Sequence, residues 1–202
     1  MKFAKCMEIL FLLSIFNFIN GSTTCEKGYY NERGTCKKCP KGTYSQNGEQ
    51  CYQCPRGYFA SSPGSSVCNI CLEGTFSVGG AAACTPCEKG KHQSLKGQDH
   101  CDDCLVGGYA ALPGQINCIL CEPGFYTPYV RSAYCYKCPV GTFANGYGAV
   151  QCTRCPAGTF ASHDGSTQCY YCPAGTFSPE GSGVCHTCPL GTSSGTGAAY
   201  CV

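Results

Sequence analysis

The sequence predicts a small disulfide-rich protein of short strands and loops, an all-β elongated rod of eleven tandem hairpin modules of about seventeen residues each. Three observations predict it. A phrase returns at fixed spacing: Cys155-Pro156-Ala157-Gly158-Thr159-Phe160, then Gly165 and Cys169, with the same words restarting at Cys138 and Cys172. Cysteine supplies 23 of 202 residues and glycine 27, and more than roughly 8–10% cysteine marks a disulfide scaffold in a secreted chain. No window carries the 3.6-residue apolar period of an amphipathic helix.

The first element is a leader. Met1 to Lys5 is a short basic run, Ile9 to Ile19 is apolar, and Gly21-Ser22 is small enough to be cut, so residues 1–21 read as a signal peptide that takes Cys6 with it. Eleven residues interrupted by Ser14 and Asn17 fall short of the ~20 needed to cross a bilayer. No second apolar stretch follows, so no membrane insertion is expected within the chain. Without Lys2, Lys5 and Glu8 the remainder holds 12 basic and 11 acidic residues, which gives no electrostatic case for nucleic acid.

The modules fill residues 22–202. Their opening cysteines are Cys25, Cys39, Cys54, Cys71, Cys87, Cys104, Cys121, Cys138, Cys155, Cys172 and Cys188. Their closing cysteines are Cys36, Cys51, Cys68, Cys84, Cys101, Cys118, Cys135, Cys152, Cys169, Cys185 and Cys201. Each closer precedes the next opener by three, so every junction reads C-x-x-C. A glycine stands three residues after every opener, which predicts a turn at positive φ. An aromatic stands five after the opener in nine modules, His92 and Ser193 being the exceptions, and is expected to form the module's small core over a disulfide. A second glycine, usually four residues before the closer, marks the hairpin loop in eight modules, and Arg131 takes its place in the seventh.

A unit this small cannot bury enough surface to offset its ordering entropy, so cross-links must supply the balance. A disulfide closing a loop of this length contributes about 3 kcal/mol in the chain-entropy model. Parity favours each opener bonding its own closer, because Cys25 and Cys201 are solitary and ten C-x-x-C pairs lie between them. A staggered scheme, with special treatment of the ends, is the alternative. Zinc-ribbon spacing is also met, but thiolate ligands belong mainly to reducing compartments. No cofactor or metal is therefore expected.

With C-x-x-C-P-x-G-T-F/Y in view, the chain resembles the ephrin-receptor-like (ephrin type A/B receptor-like) cysteine-rich repeat. It is similar in turn to tumour-necrosis-factor-receptor and growth-factor-receptor cysteine-rich modules. The resemblance covers residues 25–201, is sharpest over Cys138–Cys188, and weakens over Cys87–Cys118, where Glu88, Leu105 and His92 depart from the pattern. It implies extracellular repeats that present loops to protein partners or act as spacers.

The four histidines, His92, His100, His163 and His186, fall in different modules without a shared catalytic partner, so no enzyme is expected. Asp99, Asp102 and Asp103 around His100 read as solvated loop charge rather than a metal site. A ligand surface is expected in the charged middle (Lys89, Lys91, Lys96, Asp99, Asp102, Asp103), with Leu112, Ile116, Ile119 and Leu120 as an apolar anchor. The expected function is a secreted or cell-surface protein-binding, adhesion or spacer scaffold for an unidentified extracellular protein ligand. The alternatives are the N-terminal ectodomain of a longer membrane receptor or surface antigen, and a metal-binding cysteine-rich surface protein.

Overall fold

The structure is a computed structural model that describes residues 24–202; the expected signal peptide and Cys6 lie outside the described residues. Among the described residues there is no helix. Twenty short strands pair as ten antiparallel two-stranded hairpins, from β1 (Tyr29–Glu32) with β2 (Thr35–Lys38) to β19 (Thr176–Phe177) with β20 (His186–Thr187). The first strand of each hairpin carries the residues four and five after the opener, and the second carries the two residues between closer and next opener. The C-x-x-C junction is thus half of a hairpin, and the register Phe160↔Tyr170 sets the aromatic opposite the residue after the closer.

The chain divides into two compact units. One comprises the chain up to Ile70 together with Ser77–Cys84, and the other comprises Cys71–Phe76 and Thr85–Val202. The division cuts the fourth module in half, for a local reason. The loop of each module is held by the module before it. In the first unit, Gly80 donates its N–H to the Cys54 carbonyl (2.8 Å), while Gly57 and Ala60 donate to the Ser77 and Ala81 carbonyls (2.9 and 3.1 Å). The second unit repeats the scheme: Gly141 and Ala144 donate to Ala161 and Ser166 (2.9 and 3.2 Å), and Gly165 donates to Cys138 (2.7 Å).

The aromatic core expected for each module is not what the structure buries. Every opener from Cys25 to Cys172 is buried, and so is the residue six after the opener, small in all but Gln93: Ser45, Ala60, Ser77, Gln93, Ala110, Thr127, Ala144, Ala161 and Ser178. The aromatic rings are only half-buried. The inter-module hydrogen bonds draw the backbones close, and the central column is filled mostly by cysteine and small side chains, with Gln93 the one long exception. The rings pack across the hairpin instead, as Phe160 does on Tyr170 (centroids 6.3 Å) and Tyr44 on Tyr52 (6.0 Å). Where the buried small residue is polar, it finds a partner: Ser178 Oγ donates to the Thr159 carbonyl at 2.9 Å and Ser77 Oγ to that of Tyr58 at 2.9 Å. Such groups cost stability only when left unpaired.

The turn glycines stand at positive φ, as their spacing predicts; Gly158 has φ +84°. A second reason lies beyond the turn. A Cβ on Gly158 would stand 2.0 Å from the carbonyl oxygen of Gly197, two modules later. Arg131, in the place of a loop glycine, keeps the glycine's conformation at φ +59° and donates its N–H to Cys104 (2.8 Å).

Candidate binding surface

The cysteines carry the frame. Sulfur–sulfur bonds join Cys25–Cys36, Cys39–Cys51, Cys54–Cys68, Cys87–Cys101, Cys104–Cys118, Cys121–Cys135, Cys138–Cys152, Cys155–Cys169, Cys172–Cys185 and Cys188–Cys201, with Cα separations of 5.5–5.8 Å. Cys71 and Cys84 are disulfide-bonded as well. Each opener is the inner sulfur and each closer the partly exposed one, apart from the less buried Cys188 and the exposed Cys36. His92, Cys104 and Cys118 stand within metal-ligating reach of one another, with His92 Nδ1 3.2 Å from Cys118 Sγ. Both sulfurs are consumed in one disulfide, which leaves no thiolate for a metal to bind. His92 occupies the aromatic position, and its ring lies against the disulfide of the following module.

The charged residues of the middle modules form an ion-pair network in the second unit. Lys91 Nζ lies 3.0 Å from Asp103, across the hairpin in which they are register partners. Arg131 reaches the same Asp103 through Nε at 3.4 Å and Glu88 through Nη2 at 4.0 Å. Lys96 pairs with Glu73 at 3.8 Å. His100 stands between two carboxylates, Nδ1 2.7 Å from Asp99 and Nε2 3.5 Å from Asp102. The hydrogen bond with Asp99, reinforced by the charge of Asp102, raises the imidazole above its ordinary pKa. Phe76, Glu88, Lys91, His100 and Arg131 line a cavity of about 290 Å³ whose charges are satisfied from within the chain.

This arrangement of modules has relatives. The family model described as "Tyrosine-protein kinase ephrin type A/B receptor-like" matches residues 74–114, 107–149, 129–168 and 158–200, more than half of the chain. The chain belongs to that family. It is similar to thyroglobulin from Rattus norvegicus, 36% identical over 89 residues, which is 39% of this chain and 3% of that protein. It is also similar to the Sushi, von Willebrand factor type A, EGF and pentraxin domain-containing protein 1 from Rattus norvegicus, 35% identical over 68 residues, or 33% of this chain and 2% of that one. The aligned part is a small fraction of each relative's length.

Against the frame of ephrin-receptor-like repeats, the remaining site residues are outward side chains. Lys89 is exposed, as are Leu112, Ile116, Ile119 and Leu120, at 66, 48, 47 and 55%. Leu120 has a packing role too, since its Cδ2 stands 3.4 Å from where a Cβ on Gly148 would lie. The residue two after the closer does this repeatedly: Lys137 and Arg154 lay their aliphatic stems over Gly165 and Gly181. Sequence reasoning missed this position and the buried small residue, although both recur at fixed spacing. His163 Nδ1 meets Ser162 Oγ at 2.8 Å on an exposed loop, while Asp164 accepts from the Val140 N–H. His186 stacks on Phe177 at 5.7 Å. None of these contacts builds a nucleophile, a base and an orienting group in sequence. No helix among the described residues is long and apolar enough to cross a membrane.

Proposed function

We propose that the protein is a secreted or cell-surface, non-enzymatic scaffold whose outward side chains bind an extracellular protein, with adhesion or spacing as the outcome. One observation carries this reading. The repeat frame uses cysteines, turn glycines and a column of small residues for its interior, and leaves large apolar and aromatic side chains outside. Leu112, Ile116 and Ile119 in the sixth module and Tyr129 and Tyr134 in the seventh are exposed within two successive repeats. Solvent-facing apolar groups gathered this way mark interaction surfaces more often than isolated ones do. Disulfide density of this order supports an oxidising, extracellular setting.

The test is binding of the purified, disulfide-bonded protein to intact cells, compared with a Leu112→Asp/Ile116→Asp variant. Saturable binding lost in the variant, with all cysteines still oxidised, supports the reading. Equal binding by both proteins removes this surface from it. A second reading is the N-terminal ectodomain of a longer membrane receptor or surface antigen; in the relatives the matching region is a few per cent of a longer chain. The intact mass of the protein from its source separates the two.

A further inference from the structure

The junction of the sixth and seventh modules holds a cavity of about 340 Å³, lined by Tyr109, Ala111, Glu122, Phe125, Ala133 and Tyr134, with Cys135 beside them. Three aromatic rings and one carboxylate converge there. Glu122 makes no ion pair with any described residue. The ligand chemistry that matches aromatic faces plus a carboxylate is an organic cation, and a planar guanidinium suits both at once.

Tyr109 is the frame aromatic of the sixth module, but Glu122 and Phe125 are not the commonest residues at their positions. The position of Glu122, one after the opener, is proline in six modules, and that of Phe125, four after it, is threonine in six. Those threonines return their hydroxyls to the carbonyl three residues back at 2.6–2.8 Å, a bond Phe125 forgoes. The seventh module therefore gives up a frame interaction at the place where the cavity gains a ring.

The protein contains its own precedent. The cavity two modules earlier is built from the same positions: Phe76 for Tyr109, Glu88 for Glu122, Lys91 for Phe125 and His100 for Tyr134. Its cation is internal, the Arg131 guanidinium facing Glu88 at 4.0 Å. The residue that corresponds to Arg131 for the second cavity is Gly165, which has no side chain. Lys137, whose stem lies over Gly165, makes no ion pair with Glu122. The second cavity thus has the acceptor and more aromatic surface, and its cation is missing.

We infer that the Tyr109–Glu122–Phe125–Tyr134 cavity takes an arginine side chain presented by the extracellular partner protein. The guanidinium stacks between rings and donates to the Glu122 carboxylate. This rests on the protein-binding reading above, but its test addresses the cavity alone.

The experiment is an NMR titration of the full disulfide-bonded protein with acetyl-Gly-Arg-Gly-amide and with its neutral citrulline isostere. Saturable shifts at Tyr109, Phe125 and Tyr134 are expected, with affinity about tenfold or more weaker for citrulline, since a charge-assisted pair and cation–π contact are both lost. Glu122→Gln and Phe125→Thr are each expected to weaken the arginine peptide by about tenfold. Phe125→Thr restores the residue of six other modules, so misfolding does not explain a loss. Gly165→Arg, which recreates the arrangement of Arg131, is expected to abolish the shifts by pairing with Glu122 from within the chain. Absence of saturable shifts, equal affinity for citrulline, or unchanged affinity in Glu122→Gln and Phe125→Thr overturns the assignment. Any of these can occur while the cell-binding result stands, so the two failures are distinguishable.

Discussion

Gly158 and Gly175 are adjacent repeats of one position and differ most in what a side chain there would meet, which makes them a test of how the modules are held. Both have positive φ (+84° and +78°), and both donate to the carbonyl six after the next opener, of the buried Ser178 at 2.8 Å and of the half-buried Ser194 at 2.9 Å. A Cβ at 158 would stand 2.0 Å from the Gly197 oxygen and 2.6 Å from its carbon, whereas a Cβ at 175 would meet nothing within 4 Å. Alanine at either site costs about 1–2 kcal/mol for the left-handed backbone. At 158 the Gly197 backbone must also retreat, straining its 2.8 Å bond to the Cys172 carbonyl. Overpacking adds roughly 1–3 kcal/mol and a weakened bond about 1 more. Gly158→Ala is therefore expected to cost about 2–4 kcal/mol more than Gly175→Ala, on the sum of those two terms. Native-state hydrogen exchange without reductant reads it: the residue-158 amide loses at least about thirtyfold more protection than the residue-175 amide, after correction for intrinsic rates. Equal losses refute the claim that contact between alternate modules constrains this glycine.

Three further outcomes are expected. Cys155→Ser leaves Cys169 as the thiol labelled by alkylation before reduction, and labelling of Cys152 or Cys172 contradicts the opener-to-closer bond. Asp99→Asn lowers the His100 pKa, because the hydrogen bond with Asp99 is the first cause of its elevation. With the folded pKa raised, the stabilisation from this pair is present at acidic pH and lost as pH rises past the imidazole's elevated value, and an NMR titration in which Asp99→Asn leaves it unmoved contradicts this. Arg131→Gly is expected to be within about 1 kcal/mol of the parent in denaturant midpoint terms, since relief of the left-handed backbone offsets exposed ion pairs of small value. Arg131→Ala, which loses the pairs without that relief, is expected to be the less stable variant.

The frame was legible because its chemistry is tied to residue types with few substitutes. Cysteine positions mark the hairpins, and glycine three after the opener marks a turn at positive φ. The buried column was not legible as core, because Ala144, Ser178 and Thr127 carry no apolar signal strong enough to outrank Phe143 or Phe177 five after the opener. What buries them is backbone proximity, set by hydrogen bonds between modules such as Gly158 to Ser178, and composition does not report that. The charged middle was visible as residue types, but not which charges pair: Arg131 reaches Glu88 and Asp103 from two modules away only because it occupies a loop-glycine position.

The division between frame and surface also indicates where function is written. A disulfide in each module and hydrogen bonds to the next make order a local matter, so the loss of one frame interaction is tolerated. Phe125 gives up a threonine hydroxyl bond worth about 1 kcal/mol while the Cys121–Cys135 link and the Gly124 to Ala144 bond (2.8 Å) remain. Departures from the repeat therefore carry more functional information than the repeat itself. Glu122, Phe125 and Arg131 are such departures, and they line two equivalent cavities, one with the chain's own guanidinium in its wall and one without it.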